Sequence, residues 1–386
     1  MTDIKFTFNE SKLDEIYQHL FDCSDSFVPK LSSYVNLDEY SSKIYQKSFR
    51  IEAFNNNKLV GLIAVYINTN SLYITNVSVL PDFQNLKIAD KIMKKCIEKC
   101  QELSITKLIL EVRKENIKAL SFYNKRGFKI STEKENTYIM ILEIKRNYDK
   151  EFRDTSDHKY AYSFDFDVMH PYMIKSFEPF FKGNDVLELG SFKGDFTARL
   201  FPYFSDITCV EASEEAINEA KIRFGNKVNF YRSLFEDLIL PKKYNNIILT
   251  HVLEHIDNPV ELLKKIKDEW LTEDGKLFIV CPNANAPSRQ IAVKMGLITH
   301  NSAITPSEKE HGHRITYTLD TLERDAKDGG LKVLYRSGIF FKALANFQWD
   351  ALLKTDIISK EYLDGCFDLG QQYPDLCSSI MLICKK

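Results

Sequence analysis

The second half of the chain alternates short apolar runs with longer amphipathic segments, and this alternation limits the fold more than any other feature. Strand-like runs cover residues 185–189, 207–211, 228–231, 245–250, 276–281, 332–339 and 379–384, and helix-like segments cover 194–203, 213–224 and 258–270. Strands that alternate with helices are typical of a parallel sheet with helices on both faces. We therefore predict an α/β unit with a parallel, doubly wound sheet, followed by two further strands.

The first half has a different pattern. Strand-like runs cover residues 49–54, 59–66, 71–79, 107–112 and 138–143, and helix-like segments cover 88–103 and 117–125. Residues 55–58, three asparagines and a lysine, have the composition of a hairpin turn between two strands. Ile88, Ile92, Cys96 and Cys100 recur at four-residue spacing, so we expect one buried helix face. This half predicts a mixed α/β layer.

A polar stretch, residues 144–167, separates the halves and suggests a domain boundary near residue 148. The chain has 386 residues, enough for two domains of ordinary size. We predict one domain over residues 1–147 and a second over 148–386.

Composition excludes several classes of protein. The net charge of −2 argues against a protein that mainly binds nucleic acid. The eight cysteines form no Cys-x-x-Cys pair, and we expect reduced core thiols. Neither an apolar run of membrane-spanning length nor a signal-peptide core at residues 1–10 is evident, so we expect a cytoplasmic protein.

Two glycines mark the turn after the first strand of the second half. Gly190 ends the run 185–189, and Gly194 opens the next helix. Glycine permits a tight turn and close backbone approach to a ligand. Glu211 ends the following strand, where a carboxylate reaches both hydroxyls of a ribose. The loop and the acid are compatible with either NAD or S-adenosylmethionine.

Two later segments decide between these cofactors. Residues Tyr244–Pro259 resemble the fourth-strand signature of class I S-adenosylmethionine-dependent methyltransferases, and Gly275–Asn283 resembles the segment around the family's fifth strand. The family's middle glycine is Phe192 here, a variation that the family commonly shows. The resemblance covers about residues 160–386 and implies an α/β, Rossmann-like fold of seven strands with S-adenosylmethionine as cofactor. Carried over residue by residue, it implies Glu188, Gly190, Ser191 and Gly194 at the methionine portion and its loop, Glu211 at the ribose, Ala212, Phe235 and Glu236 around the adenine, and Thr250 and His251 beneath the sulfonium.

A long connection, residues 283–317, follows the fifth predicted strand of this half. Long loops of this kind often act as lids. His311 and His313 are candidates for a catalytic base there, and Arg289 and Arg314 for binding an anionic substrate. The His-x-His spacing also allows a metal ion, but the sequence shows no third ligand, so we predict no metal. We expect His255, before a helix that begins at Pro259, to pack or cap.

The segment Val77–Ala89 leads from a strand through a loop into a helix, an arrangement that suits a pyrophosphate. It resembles the acyl-CoA loop of the GNAT acetyltransferase superfamily, whose pattern is Gln/Arg-x-x-Gly-x-Gly/Ala; Gln84 and Ala89 match, but Lys87 replaces the first glycine. The segment Asn116–Phe128 matches the family's Asn-x-x-Ala-x-x-Phe/Leu-Tyr-x-x-x-Gly-Phe pattern. The resemblance covers about residues 1–145 and implies acetyl-CoA as cofactor. It implies cofactor contacts at Val77, Val79, Gln84, Asn85, Lys87, Ile88, Ala89 and Asn116, and a general acid at Tyr123.

The acceptor side of this half is less defined. Tyr40 and Lys43 share a predicted helical face, where Lys43 suits an anionic substrate. Thr75, Asn76 and Ser78 lie on the strand where a base often sits, yet none is a good base.

The two resemblances together imply a bifunctional small-molecule tailoring enzyme. Its acceptor would be a nucleotide-linked amino sugar used for a surface polysaccharide or a natural product. Two alternatives stay open: an acetyltransferase-like half that only binds or oligomerises, for which Lys87 is the motive, and an enzyme that modifies a protein. We expect no nucleic-acid or membrane partner, and a homodimer stays open.

Overall fold

The structure is a computed structural model that describes residues 4–68, 71–103, 105–144, 146–157 and 162–386. The chain forms two compact units, Met1–Asn147 and Tyr148–Lys386. Among the described residues, the helices are all too short or too polar to cross a membrane.

The first unit is built on a mixed sheet in the order β1-β2-β3-β4-β5-β7-β6. Neighbouring strands run antiparallel except β4 and β5, which are parallel. The strands are β1 (Ile4–Phe8), β2 (Phe49–Asn55), β3 (Lys58–Ile67), β4 (Ser71–Val79), β5 (Lys107–Arg113), β6 (Lys129–Glu133) and β7 (Thr137–Glu143). The helices are α1 (Leu13–Cys23), α2 (Leu37–Lys47), α3 (Ile88–Glu102) and α4 (Ile117–Asn124).

Helices cover both faces of this sheet. Side chains alternate between faces along β3, so that Ile63 packs in the cluster with α3 while Leu62 packs with α1 and α2. The predicted face of α3 is confirmed, because all four of its spaced apolar residues are buried.

The second unit contains the predicted doubly wound sheet, in the order β10-β9-β8-β11-β12-β14-β13. The first five are parallel, and β14 runs antiparallel to both of its neighbours. The strands are β8 (Asp185–Leu189), β9 (Asp206–Glu211), β10 (Val228–Arg232), β11 (Tyr244–Thr250), β12 (Leu271–Pro282), β13 (Lys332–Phe341) and β14 (Cys377–Lys385). The helices are α5 (Tyr148–Asp157), α6 (His170–Phe177), α7 (Thr197–Leu200), α8 (Glu214–Phe224), α9 (Pro259–Lys265), α10 (Pro287–Lys294), α11 (Pro306–Glu310), α12 (Leu319–Asp328), α13 (Asn346–Leu352) and α14 (Lys360–Gln372).

Both faces of the second sheet are buried, as a parallel sheet requires. Ile247 on β11 packs in the cluster that includes α9 and α12, whereas Ile248 packs with α6 and α14. The carboxyl ends of the parallel strands therefore share one edge, where loops can hold a ligand. The eight cysteines are free thiols, and seven of them are buried.

Several predicted segments differ in extent. The predicted helix 194–203 is reduced to α7, because a tight turn occupies residues before Thr197. The predicted helix 258–270 ends as α9 and continues as a π-helical turn, Ile266–Trp270. The long connection 283–317 carries α10 and α11 and is closed by a bridge between Asn283 and Tyr317.

Candidate functional site

The loop between β8 and α7 has an unusual backbone. Gly190, Phe192 and Gly194 have φ of +77°, +46° and +82°. A left-handed conformation is strained for phenylalanine, and such strain concentrates at ligand sites. A side chain at Gly190 would also meet Val252, since its Cβ would lie 2.5 Å from that residue's Cγ2. Both predicted glycines are therefore required by conformation and by space.

We expect Gly194→Ala to lower the free energy of unfolding of the second unit by ~3 kcal/mol, from left-handed strain plus overpacking. The added Cβ would lie 2.3 Å from a ring atom of Phe224. Gly225→Ala is the matched control, because Gly225 also has positive φ (+58°) but open space around it. Calorimetric unfolding of the full chain measures both, and equal losses would show that crowding at Gly194 contributes nothing.

The Glu211 carboxylate is held in place by backbone groups. Its Oε2 accepts a hydrogen bond from Phe192 N at 2.9 Å, and its Oε1 accepts from Ala212 N at 2.8 Å and Ser213 N at 2.9 Å. Burial raises the pKa of Glu211, and these backbone donors oppose the increase. The carboxylate thus reaches across to the glycine loop in a fixed orientation, with lone pairs left for two ribose hydroxyls.

The residues of this loop and its neighbours fit S-adenosylmethionine. The Ser191 hydroxyl is buried and makes no hydrogen bond to a described residue, so it has a donor to offer a ligand. Glu188 is buried as well, and its Oε2 accepts from Thr197 Oγ1 at 2.6 Å. Burial raises the pKa of Glu188 to about 7. One Glu188 oxygen is therefore used inside the protein, an engagement that the sequence did not reveal.

The residues predicted to lie around the adenine are less constrained than the glycine loop. Ala212 begins the turn that leads into α8, and Phe235 is half-buried against the apolar cluster under β11 and β12. Glu236 is exposed, and its carbonyl oxygen accepts from Lys265 Nζ at 2.7 Å. The contacts predicted between these residues and the cofactor therefore stay a proposal.

Thr250 ends β11, and His251 follows it with a strained φ of +54°. His251 Nδ1 lies 3.5 Å from Glu254 Oε1. Burial lowers the pKa of His251, but the hydrogen bond and charge of Glu254 outweigh burial and raise it overall. His170 was not predicted, yet burial and the nearby His251 lower its pKa to about 3, which keeps this imidazole neutral.

The long connection places His311 and His313 as half-buried side chains. Burial lowers the pKa of His313, although Glu254 and Glu308 act against the decrease. A neutral imidazole at His313 has a lone pair for a proton or a metal ion.

Arg289, which we predicted to bind an anionic substrate, has partners within the protein. Its guanidinium donates to both carboxylate oxygens of Glu308, at 2.5 and 3.2 Å, and to the carbonyl oxygens of Asn301 and Ala303. Arg289 therefore stabilises the fold of the long connection, since its partners all lie within that segment. Arg314 Nε lies 3.4 Å from Asp257 Oδ1, so the charge of Arg314 is also partly neutralised within the protein.

In the first unit, the sheet opens between β4 and β5. The two strands pair from Ser71 with Lys107 to Ile74 with Leu110, and both continue beyond that point. Within the described residues, the second half of β4 therefore has no β5 partner on that edge. Val77 and Val79 lie on this segment, whose peptide groups fit the amides of a pantetheine arm.

The loop after β4 ends in a helix N-terminus. Asn85 and Lys87 have φ of +70° and +56°, and Lys87 caps α3 without a side-chain hydrogen bond. The first N–H groups of α3, from Ile88 and Ala89 onward, have no acceptor within the helix and suit a phosphate. Lys87 thus holds the backbone conformation that glycine would supply. Gln84 is engaged nearby, since its Oε1 accepts from Lys118 Nζ at 2.9 Å.

Tyr123 lies in α4 and is buried between the rings of Phe122 and Phe128, whose centroids are 5.3 and 5.4 Å away. Burial raises the pKa of its hydroxyl, so Tyr123 stays protonated at neutral pH. Asn116 caps α4, because its Oδ1 accepts from Ala119 N at 3.0 Å. That capping leaves only the amide nitrogen of Asn116 for a cofactor.

Tyr40 reaches β4, where its hydroxyl donates to Thr75 O at 2.7 Å. Lys43, on the same helix, lies 5.6 Å from the Tyr66 ring and is exposed. Sequence reasoning missed His19 on α1, whose Nε2 lies 2.9 Å from Ser78 Oγ. Burial lowers the pKa of His19 to about 4, so a neutral imidazole adjoins the strand where no base was found.

Family comparisons match a different family to each of the two units. Residues 13–128 match the model of the acetyltransferase (GNAT) family, and residues 164–336 match that of a methyltransferase domain. The chain therefore contains a region that matches GNAT acetyltransferases, followed by a region with the Rossmann-like sheet that matches methyltransferases. Acetyl-CoA and S-adenosylmethionine are the cofactors of these two kinds of domain.

Individual relatives resemble parts of the chain. A Bacillus subtilis protein named for ribosomal protein bS18-alanine N-acetyltransferase activity is 28% identical over 80 residues, which is 21% of this chain and 53% of that protein. Nodulation protein S of Azorhizobium caulinodans is 33% identical over 101 residues, 25% of this chain and 49% of that protein. The chain thus spans about half the length of these curated relatives. A methyltransferase structure from Thermotoga maritima is 13% identical, with a TM-score of 0.43, over 62% of this chain and all of that one.

Proposed function

We propose that this chain is a bifunctional tailoring enzyme that acetylates and methylates a small molecule. One observation carries the proposal: both cofactor loops keep the backbone of a glycine loop where glycine has been replaced. Lys87 and Phe192 have φ of +56° and +46°. A chain that had lost either site would have no reason to retain strain of ~1–2 kcal/mol at each position.

The methyltransferase half would hold its cofactor through Glu211 and the loop from Gly190 to Gly194. S-adenosylmethionine supplies a methyl group on a positively charged sulfur, and transfer needs in-line alignment of the acceptor. Thr250 and His251 would lie beneath that sulfur, and His311 is a further candidate base from the connection. These residues orient the acceptor and keep water away from it.

The acetyltransferase half would bind acetyl-CoA along the open edge of β4 and at the start of α3. There the main chain from Val77 to Val79 would pair with the pantetheine amides, and the α3 N-terminus with the diphosphate. The Tyr123 hydroxyl would give its proton to the leaving thiolate. His19 and Ser78 offer a route by which an acceptor amine could lose its proton.

For the acceptor we propose a nucleotide-linked amino sugar, by analogy with enzymes that combine these two activities. An amino sugar carries both an amine for acetylation and hydroxyls for methylation. Lys43 is exposed beside Tyr66 of β3 and would attract the diphosphate of such a substrate. Its biosynthetic setting would be a surface polysaccharide or a natural product, and the reactions need no membrane or nucleic-acid partner.

Mass spectrometry of the full chain with both cofactors and a panel of nucleotide amino sugars tests this proposal. We expect a product that gains one acetyl group and one methyl group. Peptides that begin with alanine are included in the panel, because one relative is named for ribosomal-protein acetylation. If those peptides alone were acetylated, the acceptor would be a protein and the proposal of an amino sugar would be refuted.

The second candidate function is a methyltransferase with a non-catalytic GNAT half, and the observation in its favour is the side chain that Lys87 adds where the family pattern has glycine. Calorimetric titration of acetyl-CoA into the full chain separates the two. Saturable binding supports the bifunctional enzyme, whereas binding of S-adenosylmethionine without any binding of acetyl-CoA supports the alternative.

A further inference from the structure

Three potential metal ligands meet in the second unit beside the methyltransferase site. Glu254 and His255 lie in the turn after β11, and His313 comes from the long connection between β12 and α12. Each offers one ligand atom, and these atoms all lie within 4.8 Å of one another. The grouping could not be predicted from the sequence, because His313 is far along the chain from the other two residues.

The backbone fixes this arrangement. Arg314 N and Ile315 N both donate to the carbonyl oxygen of Glu254, at 2.7 and 3.3 Å. These bonds hold the connection against the turn, directly next to His313. The rings of His255 and His313 consequently lie edge to face, with centroids 4.6 Å apart. Ligands on such a fixed frame are already organised for an ion.

An independent observation points to a cation at the same place. Glu254 is only 1% exposed, and its Oε2 accepts no hydrogen bond from any described residue. A buried carboxylate oxygen without a donor is costly. His251 approaches the other oxygen, at 3.5 Å. The unpartnered Oε2 would be satisfied by a metal ion held jointly with the two imidazoles.

We propose that Glu254, His255 and His313 bind one divalent first-row transition metal ion, such as Zn²⁺, which binds the hydroxyl of the methyl acceptor. Two imidazoles and one carboxylate form the ligand set of many catalytic zinc sites, which keep a further position open. Bonds of about 2.0–2.1 Å place tetrahedral ligand atoms ~3.3 Å apart, so small side-chain rotations close the site. The prediction of no metal is revised accordingly, and His311 is not part of the group.

The position of the ion assigns it a task, which rests on the proposed methyltransferase function. His251, expected beneath the sulfonium, adjoins Glu254, so the ion lies beside the methyl group to be transferred. A metal-bound hydroxyl loses its proton to solvent more readily. The acceptor oxygen then forms the new C–O bond as the C–S bond breaks, leaving S-adenosylhomocysteine and one released proton. This inference favours oxygen over nitrogen as the methylated atom.

Titration of Co²⁺ into chelator-treated, tag-free full chain, followed by visible absorption, tests the site. We expect one Co²⁺ per chain, displaced by Zn²⁺. Glu254→Gln and His313→Ala should lose saturable binding. His300→Ala is the control, since His300 is exposed elsewhere on the same connection and should bind as the wild type does.

Two results would overturn the proposal: no saturable Co²⁺ binding by the wild type, or equal binding by all three variants. Should Glu254→Gln fail to fold, His255→Ala replaces it, because His255 is only half-buried. A parallel titration of S-adenosylmethionine keeps the two proposals separate. Cofactor binding without metal binding removes only the metal site, whereas metal binding without cofactor binding removes the methyltransferase function.

Discussion

Glu211→Ala is expected to weaken S-adenosylmethionine binding about 100-fold. The carboxylate would accept two hydroxyl hydrogen bonds from the ribose, and bonds to a charged group contribute about 1.5–3 kcal/mol each. Their joint loss of ~3 kcal/mol corresponds to two orders of magnitude in Kd. The variant also removes the acceptor for three backbone N–H groups, including that of Phe192. The glycine loop therefore loses a hydrogen bond that stabilises its conformation. Calorimetric titration of the full chain gives the affinity.

Glu214→Ala is the matched control, since Glu214 is an exposed carboxylate three residues away that pairs with Arg232. Its affinity for S-adenosylmethionine should equal that of the wild type. Acetyl-CoA affinity should not change in either variant. Unaltered S-adenosylmethionine binding by Glu211→Ala would refute the ribose assignment.

Tyr123→Phe is expected to lower the kcat of acetyl transfer at least about 100-fold, the usual contribution of a positioned general acid. Its affinity for acetyl-CoA should change little, because phenylalanine keeps the packing between Phe122 and Phe128. Burial raises the pKa of the Tyr123 hydroxyl above its ordinary value near 10. The acid form is therefore fully populated below that value, and kcat should show no fall from Tyr123 ionisation up to about pH 10. Release of the CoA thiol, followed across pH with the sugar found by mass spectrometry, measures this.

Tyr138→Phe serves as the control, because Tyr138 is a half-buried tyrosine on β7 of the same unit. It should retain the wild-type rate. A wild-type rate in Tyr123→Phe would mean that another group protonates the thiolate.

The sequence predicted the elements whose residues carry a periodic signal. The parallel strands of the second unit are continuous apolar runs because both faces are buried, and α3 shows its buried face at regular spacing. By contrast, β6 was missed because all five of its residues are exposed, which removes any alternation. Strand β1 was missed because it is short and because Thr7 is the only buried residue among its described residues.

The residues of the candidate sites divide in the same way, into those with a local sequence signal and those that depend on contacts between distant segments. Local motifs led us to propose Gly190, Gly194 and Tyr123 as site residues, because glycine turns and spaced aromatic residues can be recognised within a few positions. Contacts between distant segments could not be predicted. The engagement of Arg289 with Glu308 and two carbonyl oxygens, and the approach of His313 to Glu254, depend on how a long connection folds back.

The opening between β4 and β5 has a consequence for how the first unit tolerates change. A cofactor inserted there would act as an additional strand, recognised by main-chain groups that every residue type carries. Val77 and Val79 pack against the apolar core of this unit, so replacements there that stay apolar and support an extended backbone would leave those main-chain groups in place. Affinity along this edge would then be a property of the sheet, whereas the diphosphate of the proposed cofactor would be bound at the turn that holds Lys87.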